Sequence, residues 1–352
     1  MTGTLTDLGI AFARVGFIMA FVLNLSGVMT WIERKQSAVM QDRVGANRAS
    51  IFGFRLLGLL HPVADALKML TKEDFVPARA DRGLFVAAPV LSVFFALAGF
   101  ATIPFGPEIQ LGGREISLQA VPLNVGILYV FAMLSMGVYG VMLAGWASAN
   151  NYALLGGQRA AALMISAEIA IGASIMGVSL VYGSLDLQEI ARGQGEYWFG
   201  VIPKWGIFTQ PLGFVLFLTA GIASTKRIPF DFPEGESEII GYFIEYSGMK
   251  FGMFMMADFV ETVVIAGMAT ALFLGGWQIP FVHADPTNVL VVVLQVGAFI
   301  LKVLLMVWFL MLIRWTLPRF RYDQAMRLGW LGLLPLAVLN IVITAAAVLL
   351  LE

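Results

Sequence analysis

The chain contains no cysteine in 352 residues. That excludes disulfides, thiolate chemistry and cysteine-ligated iron–sulfur clusters. There are two histidines, His61 and His283. They fall on loops expected on opposite faces of a membrane, so a bis-histidine haem is not expected. Charge is equally scarce: Asp, Glu, Lys and Arg make up 13% of the chain, about half the usual share of a soluble domain. The net charge of −1 offers no general attraction to nucleic acid. No G-x-G-x-x-G or Walker A pattern marks a nucleotide site. The start of the chain has neither a basic stretch nor an A-x-A site, so no cleaved signal peptide is expected.

What is abundant is apolar sequence: 59% of residues are hydrophobic, and mean hydropathy is +0.84. The expected fold class is therefore an all-α polytopic membrane protein forming a single membrane domain over 1–352. Eight runs reach the length a bilayer crossing needs, near 8–31, 84–104, 121–146, 158–182, 206–225, 251–275, 288–313 and 328–350. Residues 54–70 are amphipathic instead, and an interfacial helix is expected there. Lysine and arginine number nine in loop 32–83, none in 147–157, three in 226–250 and four in 314–327. The alternate loops 105–120, 183–205 and 276–287 hold three between them. This bias places the first set on the cytoplasmic side and both termini outside. Trp31, Trp146, Trp198, Trp205, Trp277, Trp315 and Trp330 fall near span ends, as an aromatic belt requires. No internal repeat is visible, which argues against a carrier built from inverted repeats.

Two groups of acids break the pattern. The loop at 229–242 carries Asp231, Glu234, Glu236 and Glu238, followed by Glu245, on the side where loops are otherwise basic. A solvated hydrophilic loop explains the charge but not its sign. Within the spans, Glu168 lies roughly 15 Å deep, and Asp258 and Glu261 share a helical face at i and i+3, roughly 11–16 Å deep. Lys302 lies near the middle of the seventh span; Arg14 is near enough to the outer end of the first to snorkel. An intramembrane charge costs at least about 2.5–3.5 kcal/mol on insertion scales. Two readings stand. One is a structural ion pair of Lys302 with Asp258 or Glu261. The other is a polar track that moves protons by changes in carboxyl protonation. In loop 32–83, Asp65 and Lys68 sit three apart on the amphipathic helix and can pair. Arg34, Lys35, Arg43, Arg48 and Arg55 suit an acidic partner surface or lipid headgroups; the loop's length favours a partner.

These segments carry a resemblance. WIERKQSAVMQDRVGANR with HPVADALK, GWASANNYALLGGQRAAALMISAEI at 145–169, PFDFPEGESEIIGYFIEYSGMKFGMFMMADF at 229–259 and LPRFRYDQAMRLGW at 317–330 stand in order. Together they resemble subunit 1 (the H subunit) of respiratory complex I, the proton-translocating NADH:quinone oxidoreductase, over nearly the whole chain. The resemblance implies an eight-span subunit at the heel of the membrane arm, in a bacterial inner (plasma) membrane. It implies a share in a quinone chamber, and an enzyme only as part of a larger translocase. It assigns no catalytic residue, metal or bound cofactor to this chain. Quinone (such as ubiquinone) is the substrate, and FMN and the iron–sulfur clusters belong to partner subunits. The partners implied are the peripheral-arm quinone-module subunits, the small membrane-arm subunits and lipid. By motif, Arg43, Asp65, Lys68, Arg319, Arg321 and Asp323 fall near the quinone path. Asp231, Glu234, Glu236, Glu238 and Glu245 match the acidic loop. Glu168 and Asp258 match acids that lead protons inward, with Glu261 one turn away. There are departures: Ala46 for proline, His61 for glutamine, Asp258–Phe259 for Glu-Tyr and Leu331 for lysine. Ser224 and Lys226 stand in ASTKR where many members have Ala-Glu-Thr-Asn-Arg. The absent acid at Ser224 leaves the proton path open. A membrane anchor of a related energy-converting hydrogenase or other dehydrogenase is the alternative function; a stand-alone ion transporter comes third.

Overall fold

In a computed structural model, described for residues 2–111, 114–198, 200–233, 235, 238–239, 241–282 and 288–351, the chain is predominantly helical. The helices are α1 (Thr2–Met40), α2 (His61–Thr71), α3 (Arg82–Gly99), α4 (Gly126–Ala147), α5 (Asn151–Tyr182), α6 (Leu187–Gly193), α7 (Gly206–Thr209), α8 (Pro211–Ser224), α9 (Gly248–Phe273), α10 (Val289–Thr316), α11 (Tyr322–Arg327) and α12 (Leu334–Leu351). A π-helical turn, Leu328–Leu333, joins α11 to α12. Two small antiparallel ribbons pair β1 (Ile109–Leu111) with β2 (Arg114–Ile116) and β3 (Tyr197–Trp198) with β4 (Ile202–Pro203).

Seven of the described helices are long and apolar enough to cross a membrane. The run expected at 206–225 instead forms α7 and the 14-residue α8, which meet at Gln210, so it falls short of that length. The break lies at Gln210–Pro211, where the missing proline N–H starts a new helix. Gln210 is not idle there: its amide donates to Thr344 Oγ1 at 2.8 Å, and its carbonyl accepts from Asn340 Nδ2 at 2.8 Å. The amphipathic stretch expected over 54–70 is helical only from His61. A 3₁₀ turn, Leu56–Gly58, precedes it, with positive φ at Leu56, Leu57 and Gly58.

Helix starts follow local chemistry. Asp81 Oδ1 caps α3 by accepting from Gly83 N at 3.0 Å and Leu84 N at 3.2 Å. Asn150 caps α5, which ends at Gly183 in the left-handed region, φ 67°. Helix α9 is the axle: 94% of its apolar window is buried, against 17% for α1, 28% for α10 and 22% for the α11–α12 segment. It packs against α1, α3, α8 and α10; α4 packs against α3 and α5, and α5 in turn against α8 and α12. Apolar side chains are left exposed on α1, α10 and α12, including Phe12, Leu290, Val293 and Val342, and also on α3, α4, α5 and α8, including Phe94, Tyr139, Ile165 and Val215.

Candidate functional site

The site starts where α8 ends. After Ser224 and Thr225, Lys226 turns with φ 56° and sends its ammonium inward to α9. Its Nζ lies 2.8 Å from Asp258 Oδ1 and 3.3 Å from Glu261 Oε2, and all three residues are buried. Asp258 and Glu261 present both carboxylates from one face of α9, as i and i+3 require. Burial in the bundle leaves opposite charge and hydrogen bonds as the terms that compensate desolvation. The neighbouring residue extends the cluster: Arg227 lies over the Phe259 ring at 4.1 Å and reaches Glu33 Oε2 at 3.4 Å. Arg314 of α10 holds the other Glu33 oxygen at 2.8 Å.

On its far side, Glu261 approaches α4 at Gly137, where a Cβ would stand 3.5 Å from Oε1. Two residues earlier on α4, Ser135 donates to Glu168 Oε2 of α5 at 2.7 Å. Glu168 and Glu261 are near enough for their charges to interact. Helices α9, α4 and α5 therefore bring the predicted intramembrane acids into one neighbourhood.

The pairing of Lys302 with Asp258 or Glu261 is not what the structure has. Lys302 Nζ donates to the carbonyls of Leu274 at 2.7 Å, Gly276 at 3.0 Å and Gln278 at 2.7 Å, and lies 4.5 Å from the Trp205 ring. It satisfies carbonyls at and beyond the C-terminus of α9, where a helix leaves acceptors open and favours a cation.

The acidic loop is tied to the segment after α10. Glu238 accepts from Arg159 of α5 at 2.6 Å and lies 4.0 Å from Arg319. The Arg159 hydrogen bond, helped by the charges of Arg159 and Arg319, holds the Glu238 carboxyl below its ordinary pKa. Phe320 N donates to Pro229 O at 3.0 Å, and the Phe230 and Phe320 rings lie 5.4 Å apart. Gly235 sits against the Arg319 guanidinium so closely that any Cβ would collide with it. Asp231 is half-buried between buried Phe230 and Phe232. Glu245 is elsewhere, accepting from Asn150 Nδ2 at 2.8 Å. Glu234, Glu236 and His283 lie outside the described residues.

The first loop adds a cavity of about 430 Å³, lined among others by Glu33, Arg34, Arg43, Arg48, His61 and Trp315. Arg43 is held there by Gln41 Oε1 at 2.6 Å and Ser37 Oγ at 3.1 Å. Asp65 pairs with Arg34 at 2.6 Å and with Lys68 at 3.7 Å. Arg321 and Asp323 pair with each other at 2.9 Å on the surface, apart from this cluster. The hydrogen bond from Arg321 lowers the pKa of Asp323.

Sequence reasoning missed Glu33, Ser135 and Arg159 as site members. It took Lys226 only as a loop cation and a departure from the family pattern. The available signal was the KR pair directly after an apolar helix. Glu33 looked like one charge among several in IERK, and only the fold aims it at two arginines distant in sequence, Arg227 of the turn after α8 and Arg314 of α10.

Over residues 13–345 the sequence matches a family model described as NADH dehydrogenase. It is 48% identical over 335 residues to the H subunit of NADH-quinone oxidoreductase from Thermomicrobium roseum, covering 94% of each chain. It is 45% identical over 345 residues to the second of the numbered H subunits of NADH-quinone oxidoreductase from Geobacter sulfurreducens, covering 98% of each. It is 42% identical over 337 residues to the first of those numbered in Cytophaga hutchinsonii, covering 95% of each.

Proposed function

The chain belongs to the NADH dehydrogenase family as a relative of the H subunit of NADH-quinone oxidoreductase, and we propose that it forms part of a quinone-binding chamber and couples quinone reduction to proton movement through buried carboxylates. It works as one subunit of a multi-subunit enzyme complex, in keeping with its relatives' names. Electrons reach the quinone from an iron–sulfur cluster of a neighbouring subunit, since a chain without cysteine offers no thiolate ligand. The subunits around it supply the rest of the chamber, and lipid meets the outward faces of α1, α10 and α12.

One observation carries this reading. Three groups of charged and polar side chains are spaced from the first-loop cavity into the bundle. The first is Glu33, which lines the cavity and binds Arg227 and Arg314. The second is Lys226 with Asp258 and Glu261, and the third is Glu168 with Ser135. Two-electron reduction of a quinone takes up two protons, and the negative charge that precedes uptake raises the proton affinity of carboxylates nearby. The acidic loop at 229–242 is the first group to respond, with Glu238 fastened to Arg159 and Arg319. Arg43, Asp65, Lys68, Arg319, Arg321 and Asp323 line or border the quinone path, and Asp231, Glu234, Glu236 and Glu245 complete the loop's charge. The segment from Gly206 to Ser224 makes the eighth crossing, with the termini outside a bacterial inner membrane.

The test is turnover of the assembled complex in proteoliposomes. Asp65→Asn and Glu236→Gln are expected to lower quinone reduction about tenfold or more without loss of assembly. Glu168→Gln and Glu261→Gln are expected to lower the protons moved per electron while quinone is still reduced. Normal quinone turnover in the first pair overturns the chamber, and normal proton movement in the second pair overturns the carboxylate route.

A further inference from the structure

One charge within the spans takes no part in the site. Arg14 stands roughly 9 Å along α1 from Leu8, where the apolar span begins, at the end away from the first basic loop. It borders a groove of about 280 Å³ between α1, α10 and the connection from α3 to α4. Ile18, Phe105 and Val292, all buried, make the floor, while Phe17 and Val293, both exposed, make the lips. The groove therefore opens sideways from the bundle. Its floor is fixed, because the Phe105 ring meets those of Phe17, Phe21, Phe100 and Phe299 at 5.1–5.8 Å. Arg14 is the only polar side chain among the described residues that line it. Its Nη1 donates to the Ser117 carbonyl at 3.1 Å, and its buried Nε has no acceptor among the described residues. The acids of the α3–α4 connection turn elsewhere: Glu108 and Glu115 line a separate cavity, where Glu108 pairs with Arg192 at 2.6 Å.

We propose that this groove binds one anionic phospholipid, with an acyl chain lying against Phe105 between α1 and α10 and the headgroup phosphate held by Arg14. An apolar groove with a single cation near the membrane surface matches a molecule with an apolar chain and one anionic group. Neither part alone accounts for both features. Arginine suits the phosphate, because its guanidinium offers parallel N–H donors to the phosphate oxygens and its stem lies comfortably along apolar surface. A cation beside hydrocarbon is costly, and a phosphate within reach offsets that cost. A partner helix, about 10–12 Å across, is too wide to enter a groove of this size, whereas an extended acyl chain is not. A free phosphate ion would use the arginine and leave the groove empty. The lipid comes from the leaflet opposite the basic loops. This inference stands apart from the quinone chamber and requires only that α1 and α10 cross the membrane, as their length and apolar character allow.

The experiment uses the assembled complex and phosphatidylglycerol carrying a photoreactive diazirine in one acyl chain, with cross-linked peptides read by mass spectrometry. Label is expected near Phe17 of α1 and Val293 of α10. Unlabelled phosphatidylglycerol should displace it at about one-fifth the concentration that phosphatidylcholine requires, the preference that one arginine near an anionic headgroup gives. Inorganic phosphate at the same concentration should not displace it. Arg14→Gln should abolish the preference, and Arg14→Lys, which keeps the charge, should retain most of it. Val293→Trp, which fills the groove and leaves Arg14 in place, should remove the label itself. Equal displacement by the two lipids in the parent overturns the proposal, as does a preference that survives Arg14→Gln. Label spread evenly over the exposed faces of α1, α10 and α12 would reduce the lipid to ordinary boundary lipid. No label at either helix would give the groove to a partner subunit, and displacement by inorganic phosphate would make Arg14 a site for the free ion. Each of these outcomes also overturns the proposal. Where Arg14→Gln fails to assemble, displacement in the parent and the label in Val293→Trp still decide.

Discussion

At the residue scale, the charged side chains divide by what holds them. Arg321 and Asp323 pair with each other at the surface, and such pairs contribute about 0–1 kcal/mol. Glu238 differs, because the residue that lowers its pKa, Arg159, is on another element. A carboxyl with a lowered folded-state pKa contributes stability above its unfolded pKa and loses it as pH falls through the folded value. Glu238→Gln is therefore expected to cost about 0.5 kcal/mol at neutral pH given its exposure, read as a slightly lower melting midpoint of the complex, and to match the parent only once the pH falls below the lowered folded-state pKa. A deficit that persisted in acid would show that the contact's charge is not its source. The sequence located most of these residues but not their partners. One of its two readings paired Lys302 with Asp258 or Glu261, on the rule that buried charges pair with opposite charges. The rule held for the acids, whose partner is Lys226, a residue counted as a loop cation. Lys302 met the helix-end carbonyls of Leu274 and Gly276 instead. The positive φ at Gly275 and Gly276 that ends α9 is the kind of feature two adjacent glycines announce, so this partner was within reach of the sequence.

At the element scale, the bundle depends on how closely its helices approach. Helices α3 and α4 meet through small residues, and Gly140 faces the backbone of α3 directly. A Cβ at 140 would collide with Ser92 Oγ and stand 2.9 Å from Ser92 N and 3.0 Å from Ala88 O. The last two are backbone atoms, so the helices themselves would have to separate. Gly140→Ala is expected to destabilise the subunit by about 1–3 kcal/mol, read as a lower melting midpoint and less assembled complex. Gly16→Ala in α1, with nothing within 4 Å, is the control and should be silent. Equal effects of the two changes would place the cost in the glycine backbone rather than in the helix contact. Hydropathy located the long helices because lipid-facing and buried surfaces are both apolar, but not their ends: α1 runs on to Met40, past the expected 31, and α5 starts at Asn151, before the expected 158. It could not foresee the division of 206–225 at Gln210. An apolar count passes over a single glutamine, and what makes Gln210 tolerable is Asn340 and Thr344 of α12, more than a hundred residues away. The helix at 61–71 was legible from its amphipathic pattern, but the turn over Leu56–Gly58 was not, since leucines carry no sign of a positive φ.

At the scale of the whole molecule, polarity and burial run together. Helix α9 is the most buried and the least apolar of the long helices, with hydropathy 1.6, while α10, largely outward-facing, reaches 2.6. A membrane protein has no need of extra hydrophobicity inside, because lipid is as apolar as its core. The acids of α9 thus sit where the fold shields them from lipid, and their connection to the loop side depends on which face the turn after α8 occupies. Helix α8 alone is roughly 21 Å long at 1.5 Å per residue, short of the bilayer's hydrocarbon thickness of about 30 Å. Taken together, α7 and α8 reach roughly 28 Å, enough for a crossing with little adjustment. Absence of cysteine makes the question easy to put, since a single introduced thiol has no competitor in this chain. Glu196→Cys lies before the segment, Met249→Cys after it, and Arg79→Cys in the first basic loop; all three parent side chains are exposed. In oriented vesicles carrying the assembled complex, a membrane-impermeant maleimide is expected to label Glu196→Cys from the outside. Arg79→Cys and Met249→Cys should label only in inverted vesicles, and all three should label once detergent opens the membrane. Glu196→Cys and Met249→Cys labelling from the same face would make α7 and α8 a re-entrant pair. Lys226 would then enter the bundle from the opposite surface to the basic loops, and the route from the first-loop cavity to the acids of α9 would be broken at its middle.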